Sequence, residues 1–220
     1  MDKYIDRHDA GIVLANHLKE YAHQSNVIVL ALPRGGVPVA YEVAKALSIP
    51  LDVFIVRKLG VPGHEELAMG ALAAGGIVMF NEPLMDQLHI DQAAIHQVVE
   101  SEQKELLRRE QLYRGNRPFP QLLDKTVILI DDGIATGSTI KAAIKALKRF
   151  KPSSIIIAVP VAARETYEDM AKLVDKIICP LKPTPFHAVG LWYENFSQTS
   201  DNEVIELLKK SHSTKQQPMK

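Results

Sequence analysis

An α/β domain with a doubly wound, mainly parallel sheet flanked by helices is predicted by three observations on the sequence. Apolar runs at 27–32, 51–56, 126–130, 155–159 and 176–179 alternate with segments of helical apolar spacing. The runs are nearly continuous rather than alternating, as strands buried on both faces require. Several of them end in glycine-rich or charged loops, the composition of a sheet edge that binds a ligand.

The elements follow in order. Asp9 is a plausible cap for a first helix that places Leu14, His17, Leu18 and Tyr21 on one face. Val27–Leu32 is a strand broken by Pro33-Arg34-Gly35-Gly36, after which Ala40, Val43, Ala44 and Leu47 repeat at helical spacing. Leu51–Val56 is a second strand ending at Arg57-Lys58, and Gly60, Pro62 and Gly63 mark a long loop to about Leu67. Met69–Ala73 and Ile77–Phe80 read as short strands around Gly75-Gly76. Residues 81–124 read as a helical insertion lying on the domain, in which Asp91–Tyr113 is a mostly polar helix packing through Ile95, Val98, Val99 and Leu106. A strand from Thr126, a helix with Ile140, Ala143, Ile144 and Leu147 inside, a strand at Ile155–Val159, a helix at Ala163–Leu173 and a strand at Lys176–Cys179 follow. Residues 180–199 are irregular and aromatic. Ser200 and Glu203 form a capping-box pattern before a last helix carrying Val204, Leu207 and Leu208, with a frayed tail from Lys209.

The 220 residues suit one domain spanning 1–220. Twenty-six basic and 26 acidic residues cancel, so no general attraction to nucleic acid or an anionic membrane is expected. The single cysteine, Cys179, excludes an internal disulfide framework and reads as a small buried hydrophobe. No apolar stretch approaches transmembrane length and the first residues lack a signal-peptide pattern, so a cytoplasmic protein without a membrane partner is expected.

The run VILIDDGIATGST, Val127 to Thr139, carries the chemistry. It places Asp131 and Asp132 at the carboxyl end of a strand, and the turn Ala135-Thr136-Gly137-Ser138-Thr139 opens a helix. Carboxylates suit sugar hydroxyls, and amides gathered at a helix start suit a phosphate. Two further loops open on the same edge. Arg34 offers a forked donor for phosphate oxygens beside Gly35-Gly36, which lets backbone approach an anion closely. Arg57-Lys58 stands at the root of what has the composition of a mobile flap. Together these suit a sugar phosphorylated at two places.

Other readings are weaker. Paired strand-end acids also occur in receiver domains, which lack the small-residue turn. No Walker-type Gly-x-x-x-x-Gly-Lys-Ser/Thr, Gly-x-Ser-x-Gly or His-Glu-x-x-His is present, and the histidines have no metal-ligand spacing. Arg34 and Arg57-Lys58, taken singly, also read as solvated turn or strand-end residues. His64, Glu65 and Glu66 in the flap read as exposed.

The chain resembles the type I phosphoribosyltransferases. Their motif for phosphoribosyl pyrophosphate is an apolar strand, two acids and a small-Thr-Gly-Ser/Thr turn, matched from Val127 to Ala143. The order of elements from Val27 to Cys179 also fits, as does the stretch Arg57 to Ala71, similar to bacterial members carrying an RKLGxPxxxELAxGA-like segment. The resemblance implies transfer of a 5-phosphoribosyl group to a nitrogenous base with release of pyrophosphate, in nucleotide metabolism. Asp131 and Asp132 would hold the ribose hydroxyls, and Ala135, Thr136, Gly137, Ser138 and Thr139 the 5-phosphate. Arg34, Gly35, Arg57 and Lys58 would bind pyrophosphate, with Arg57, Lys58, Asp131 and Asp132 in the catalytic set. Magnesium would be held mainly by substrate and water, with Asp131 and Asp132 as the protein's contribution. A cis peptide is expected at Arg34–Gly35.

Residues 180–199 correspond to the family's hood over the acceptor. Phe186, Trp192 or Tyr193 could stack on a base, and Lys182 could address a ring oxo group. Trp192 reads equally as hood core. The stretch Ala188–Tyr193 is similar to the hood of hypoxanthine-guanine phosphoribosyltransferases, so a 6-oxopurine is the expected acceptor, although Glu194 matches their acidic residue only approximately. Family members are commonly dimers, and the polar insertion helix could serve such an interface. The alternative is a regulatory module that senses phosphoribosyl pyrophosphate or a nucleotide with little turnover.

Overall fold

The computed structural model describes residues 3–88 and 90–213, with the side chain of Glu66 outside the description. Strands β1 (Val27–Ala31), β2 (Leu51–Val53), β6 (Thr126–Ile130), β7 (Ser154–Ala158) and β8 (Lys176–Ile178) form one parallel sheet in the order β2-β1-β6-β7-β8. Strands β3 (Val56–Val61), β4 (His64–Ala73) and β5 (Ile77–Phe80) form a separate antiparallel sheet. The expected doubly wound architecture is therefore present, with an antiparallel ribbon attached to it.

The parallel sheet is covered on both faces. Within β6, Ile128 and Ile130 pack with helices α1 (Arg7–Asn16), α2 (Gly36–Leu47) and α7 (Asp201–Ser213), through Leu14, Val43 and Val204. Val127 and Leu129 pack on the other face with α5 (Ser138–Arg149) and α6 (Arg164–Ala171), through Ile140, Ile144 and Met170. All four strand side chains are completely buried. Each contributes about 1.5–3 kcal/mol of transfer free energy, which is why the run contains no polar alternation.

Register brings the strand ends level, with Ala31 beside Ile130 and Ile130 beside Ala158. The chain leaves β1 toward β2 and leaves β6 toward β7, in opposite directions across the sheet. A crevice opens at such a reversal. It lies between the loop at Pro33–Gly36 and the acids at Asp131–Asp132.

Several sequence expectations are corrected. The cap of α1 is Asp6, whose carboxylate accepts the Asp9 amide at 2.9 Å, while Asp9 accepts the Ile5 amide. The strand expected across Leu51–Val56 stops at Val53, because the chain turns there into the antiparallel sheet. Arg57 and Lys58 lie within β3, and the expected loop to Leu67 is instead a β-hairpin turning at Pro62-Gly63. Proline fixes its own φ and Gly63 adopts φ 77°, the combination a tight turn requires. Gly60 lets the hairpin strands close over a bulge, since a Cβ there would meet the Glu65 carbonyl at 2.7 Å.

The insertion holds two helices, α3 (Glu82–Leu88) and α4 (Gln92–Arg114), the latter capped by Asp91. Its end is tied to the sheet by buried Arg114, which donates to Asp52 at 3.1 Å and to the Val53 carbonyl at 2.9 Å. Ser200 caps the last helix through the Glu203 amide as expected, but the helix continues to Ser213 instead of fraying at Lys209; the rest of the tail lies outside the described residues. Among the described residues no helix is long and apolar enough to cross a membrane.

Candidate active site

Two glycines allow the crevice to close tightly. A Cβ on Gly35 would stand 2.0 Å from Asp132 Oδ2, and one on Gly36 would stand 2.7 Å from the Ile130 carbonyl. The Pro33–Gly36 turn therefore lies directly on the acid pair. Its cis peptide is Pro33–Arg34, one residue earlier than the expected Arg34–Gly35.

The acids are held in contrasting surroundings. Burial, with Asp132 alongside, pushes the Asp131 carboxyl well above its ordinary value. Burial also raises Asp132, opposed there by the guanidinium of Arg7. Arg7 Nε and Nη2 approach Asp132 Oδ2 at 2.9 and 2.8 Å, and Nη1 donates to the Ser197 carbonyl at 2.7 Å. The Asp132 carbonyl accepts from the Tyr193 hydroxyl at 2.5 Å, and burial raises that phenol far above its ordinary value. Sequence reasoning missed Arg7 altogether. It follows a helix cap, where nothing local marks it as a partner of a strand end 125 residues away.

The turn after the acids is built as expected. Asp131, Ile134, Ala135, Thr136, Gly137, Ser138 and Thr139 line a cavity of about 190 Å³, closed on one side by Val189 of the hood. Gly137 occupies the cap position of α5 at φ 73°, without a capping side chain. The first main-chain bond into the helix is from Lys141 to the Gly137 carbonyl at 2.8 Å. Among the described residues the amides of Thr136, Gly137, Ser138 and Thr139 have no main-chain acceptor. A helix start with uncommitted amides and the hydroxyls of Thr136, Ser138 and Thr139 is suited to an anion. Thr166 donates to the Ala135 carbonyl at 2.6 Å and fixes the turn from α6.

The predicted cations sit on the Pro33–Gly36 turn and on β3 and turn to three different partners rather than gathering on the acids. Arg34 Nη1 lies 3.8 Å from Asp201 at the start of α7. Arg57 Nε donates to Glu102 of α4 at 2.6 Å. Lys58 lines a separate cavity of about 250 Å³ with Pro62, Glu65 and Ser101. His64 and Glu65 are exposed at the hairpin tip, as expected.

The hood differs from expectation in its details. Lys182 Nζ, expected to address a ring oxo group, donates to the Cys179 carbonyl at 2.5 Å and lies over the Tyr167 ring. Tyr193 is buried beside Tyr4 and serves as a strut under Asp132 instead of a stacking surface. Phe186 and Trp192 are half-buried on the same cluster, and the indole N–H of Trp192 is buried without an acceptor among the described residues. Cys179 is buried, and burial pushes its thiol up to about 12, in keeping with a packing role.

The chain is similar to known proteins over most of its length. The family model described as "Phosphoribosyl transferase domain" matches residues 7–192. Proteins from two Mycobacterium tuberculosis strains, each named "Putative phosphoribosyl transferase", are 42% identical over 212 residues, covering 96% of this chain. The match covers 48% of each relative, so the chain spans about half the length of the curated relatives it matches. The crystal structure of TT1426 from Thermus thermophilus is similar with a TM-score of 0.82 and 35% identity, covering 94% of this chain and 98% of that one.

Proposed function

The chain belongs to the phosphoribosyl transferase domain family, and from that premise we propose that it transfers a 5-phosphoribosyl group from phosphoribosyl pyrophosphate to a nitrogenous base, releasing pyrophosphate. One observation carries the reading: the acid pair and the amide-lined cavity share the crevice, with Asp131 lining both. The ribose hydroxyls donate to Asp131 and Asp132, and the 5-phosphate accepts from the amides and hydroxyls of 135–139. Amides of the Pro33–Gly36 turn and the side chain of Arg34 receive the pyrophosphate.

The C–O bond from the anomeric carbon to pyrophosphate breaks as the acceptor nitrogen attacks, leaving oxocarbenium character on the ribose. Arg57 and Lys58 reach the departing pyrophosphate when the hairpin closes, which requires Arg57 to leave Glu102. The closed hairpin excludes water. No covalent enzyme intermediate is needed.

The donor set fits magnesium only in a shared shell. Among the described residues no three histidine, cysteine or carboxylate side chains are placed to hold a metal ion together, while Asp131 and Asp132 offer the hard oxygens this hydrated cation prefers. When bound, the ion would draw charge from the leaving pyrophosphate oxygens, with Asp131 and Asp132 as its protein contacts.

The acceptor reading is a purine, placed under the hood by Trp192 and Phe186, in the nucleotide metabolism of the cytoplasm. A screen of bases with donor and magnesium, reading pyrophosphate release, tests it. Release with hypoxanthine, guanine or xanthine is expected. Release only with other bases would overturn the purine acceptor. Donor binding with no release for any base would favour the sensing module.

A further inference from the structure

Resting on the phosphoribosyl reading, we propose that Arg7 is a positioning residue that couples donor occupancy at Asp132 to the setting of the hood over the acceptor. The guanidinium is shared between the two sites. Its Nε and Nη2 hold Asp132 Oδ2, its Nη1 holds the Ser197 carbonyl, and its face lies 3.9 Å from the centre of the Phe196 ring. The Phe196 ring is 5.0 Å from that of Tyr193, whose hydroxyl returns to the Asp132 carbonyl. The hood segment 193–197 is thus held by one residue twice, through its carboxylate and through its main chain.

The hood is also paired through its backbone with the segment just ahead of α1. The Tyr4 amide donates to the Trp192 carbonyl at 2.9 Å, while the amides of Glu194 and Asn195 donate to the Tyr4 and Ile5 carbonyls at 2.8 and 2.9 Å. Arg7 follows that segment and makes its charged contact with the ribose acid.

A purely structural ion pair would account for the burial, with side chains 11% and 16% exposed. It would not account for the location. Any hydroxyl or cation that binds Asp132 competes with Arg7 for the same carboxylate, and the loss passes directly to Ser197 and Phe196. The pairing is charge-assisted and shielded from water, so its rearrangement is energetically significant. Among the described residues the buried indole N–H of Trp192 has no acceptor, so the hood side chain that reports the coupling is sensitive to a change in its packing.

Trp192 is the sole tryptophan of the chain, so its emission reads the hood without a label. The full chain is titrated with phosphoribosyl pyrophosphate and magnesium chloride, following heat by calorimetry and emission in parallel. In the wild type both signals should share one midpoint. In Arg7→Gln the heat should persist, with affinity within about tenfold, while the emission change falls below about a quarter of the wild-type amplitude. Phe196→Leu spares the Asp132 pair and should reduce the emission change at unchanged donor affinity, which keeps the coupling falsifiable should Arg7→Gln fail to fold. Arg7→Lys retains charge but loses the fork, and should restore less than about half the amplitude. Full emission amplitude in a donor-binding Arg7→Gln protein, or wild-type heat without any emission change, would overturn the coupling. Absence of both signals in the wild type would instead overturn the phosphoribosyl reading beneath it.

Discussion

Gly35 lies against Asp132 so closely that a single added methyl group would stand 2.0 Å from the carboxylate oxygen Oδ2. The glycine is not needed for its backbone, which has helical φ −59° and ψ −32° that any residue accepts. It is needed for space alone.

Gly35→Ala should therefore lower donor affinity by about tenfold or more, equivalent to about 1.4 kcal/mol, with helix α2 intact by circular dichroism. Gly63→Ala is the control. Its φ of 77° makes alanine strained, but no atom lies within 4 Å of the new methyl and the turn is at the hairpin tip, so donor affinity should hold. Calorimetry distinguishes the two, and equal affinities would remove the steric argument.

Asp131 yields a prediction on pH. Its native value is raised by burial, so the folded state keeps a proton that the unfolded chain releases at lower pH. The associated stability is complete below the unfolded value and is lost as pH climbs through the native one, with Asp132 adding in the same direction. Asp131→Asn should flatten that decline and exceed wild-type stability at its upper end, in urea titrations from about pH 4 to pH 8. A wild-type stability that rose across the window would refute the assignment. Asp131→Asn combined with Asp132→Asn should remain folded and give no calorimetric donor binding.

The hairpin makes a kinetic prediction. Lys58→Ala should lower kcat by at least about tenfold while donor affinity moves less than about threefold, the pattern of a contact made in the transition state. Glu102→Ala frees Arg57 from a pair whose members are 26% and 25% exposed, worth only about 0.2–1 kcal/mol. Global stability should barely change, whereas amide exchange across β3 should accelerate. A loss confined to donor affinity in Lys58→Ala would make that residue a simple binding contact.

Asp52 and Arg114 decide how firmly the insertion is attached. Their side chains are 9% and 4% exposed, so Asp52→Ala leaves a guanidinium buried without its main counter-charge. Destabilisation of about 3–5 kcal/mol is expected from chemical denaturation, with much of it recovered by pairing Asp52→Leu with Arg114→Met. A loss under about 1 kcal/mol would mean that Glu110 and the Val53 carbonyl suffice for Arg114.

What could be read from the sequence divides along physical lines. The acids and the turn at 135–139 are contiguous, so one buried strand and one helix start determine their geometry locally. Arg7 and Tyr193 meet Asp132 across 125 and 61 residues, and such meetings depend on the whole sheet order. Arg114 was hidden in a polar helix whose charges all look alike until one is buried. The hairpin was missed for a different reason. Gly60, Pro62 and Gly63 break periodicity and resemble a loop, yet a bulge and a tight turn need those same residues.

The backbone pairing between residues 4–5 and 192–195 has a practical side for anyone preparing the protein. An affinity tag or fusion joined just ahead of Lys3 would pull on the segment 192–195, and trimming the first five residues would strip away its pairing partner. Handles are better attached behind Ser213, the last residue of α7, which takes no part in that pairing.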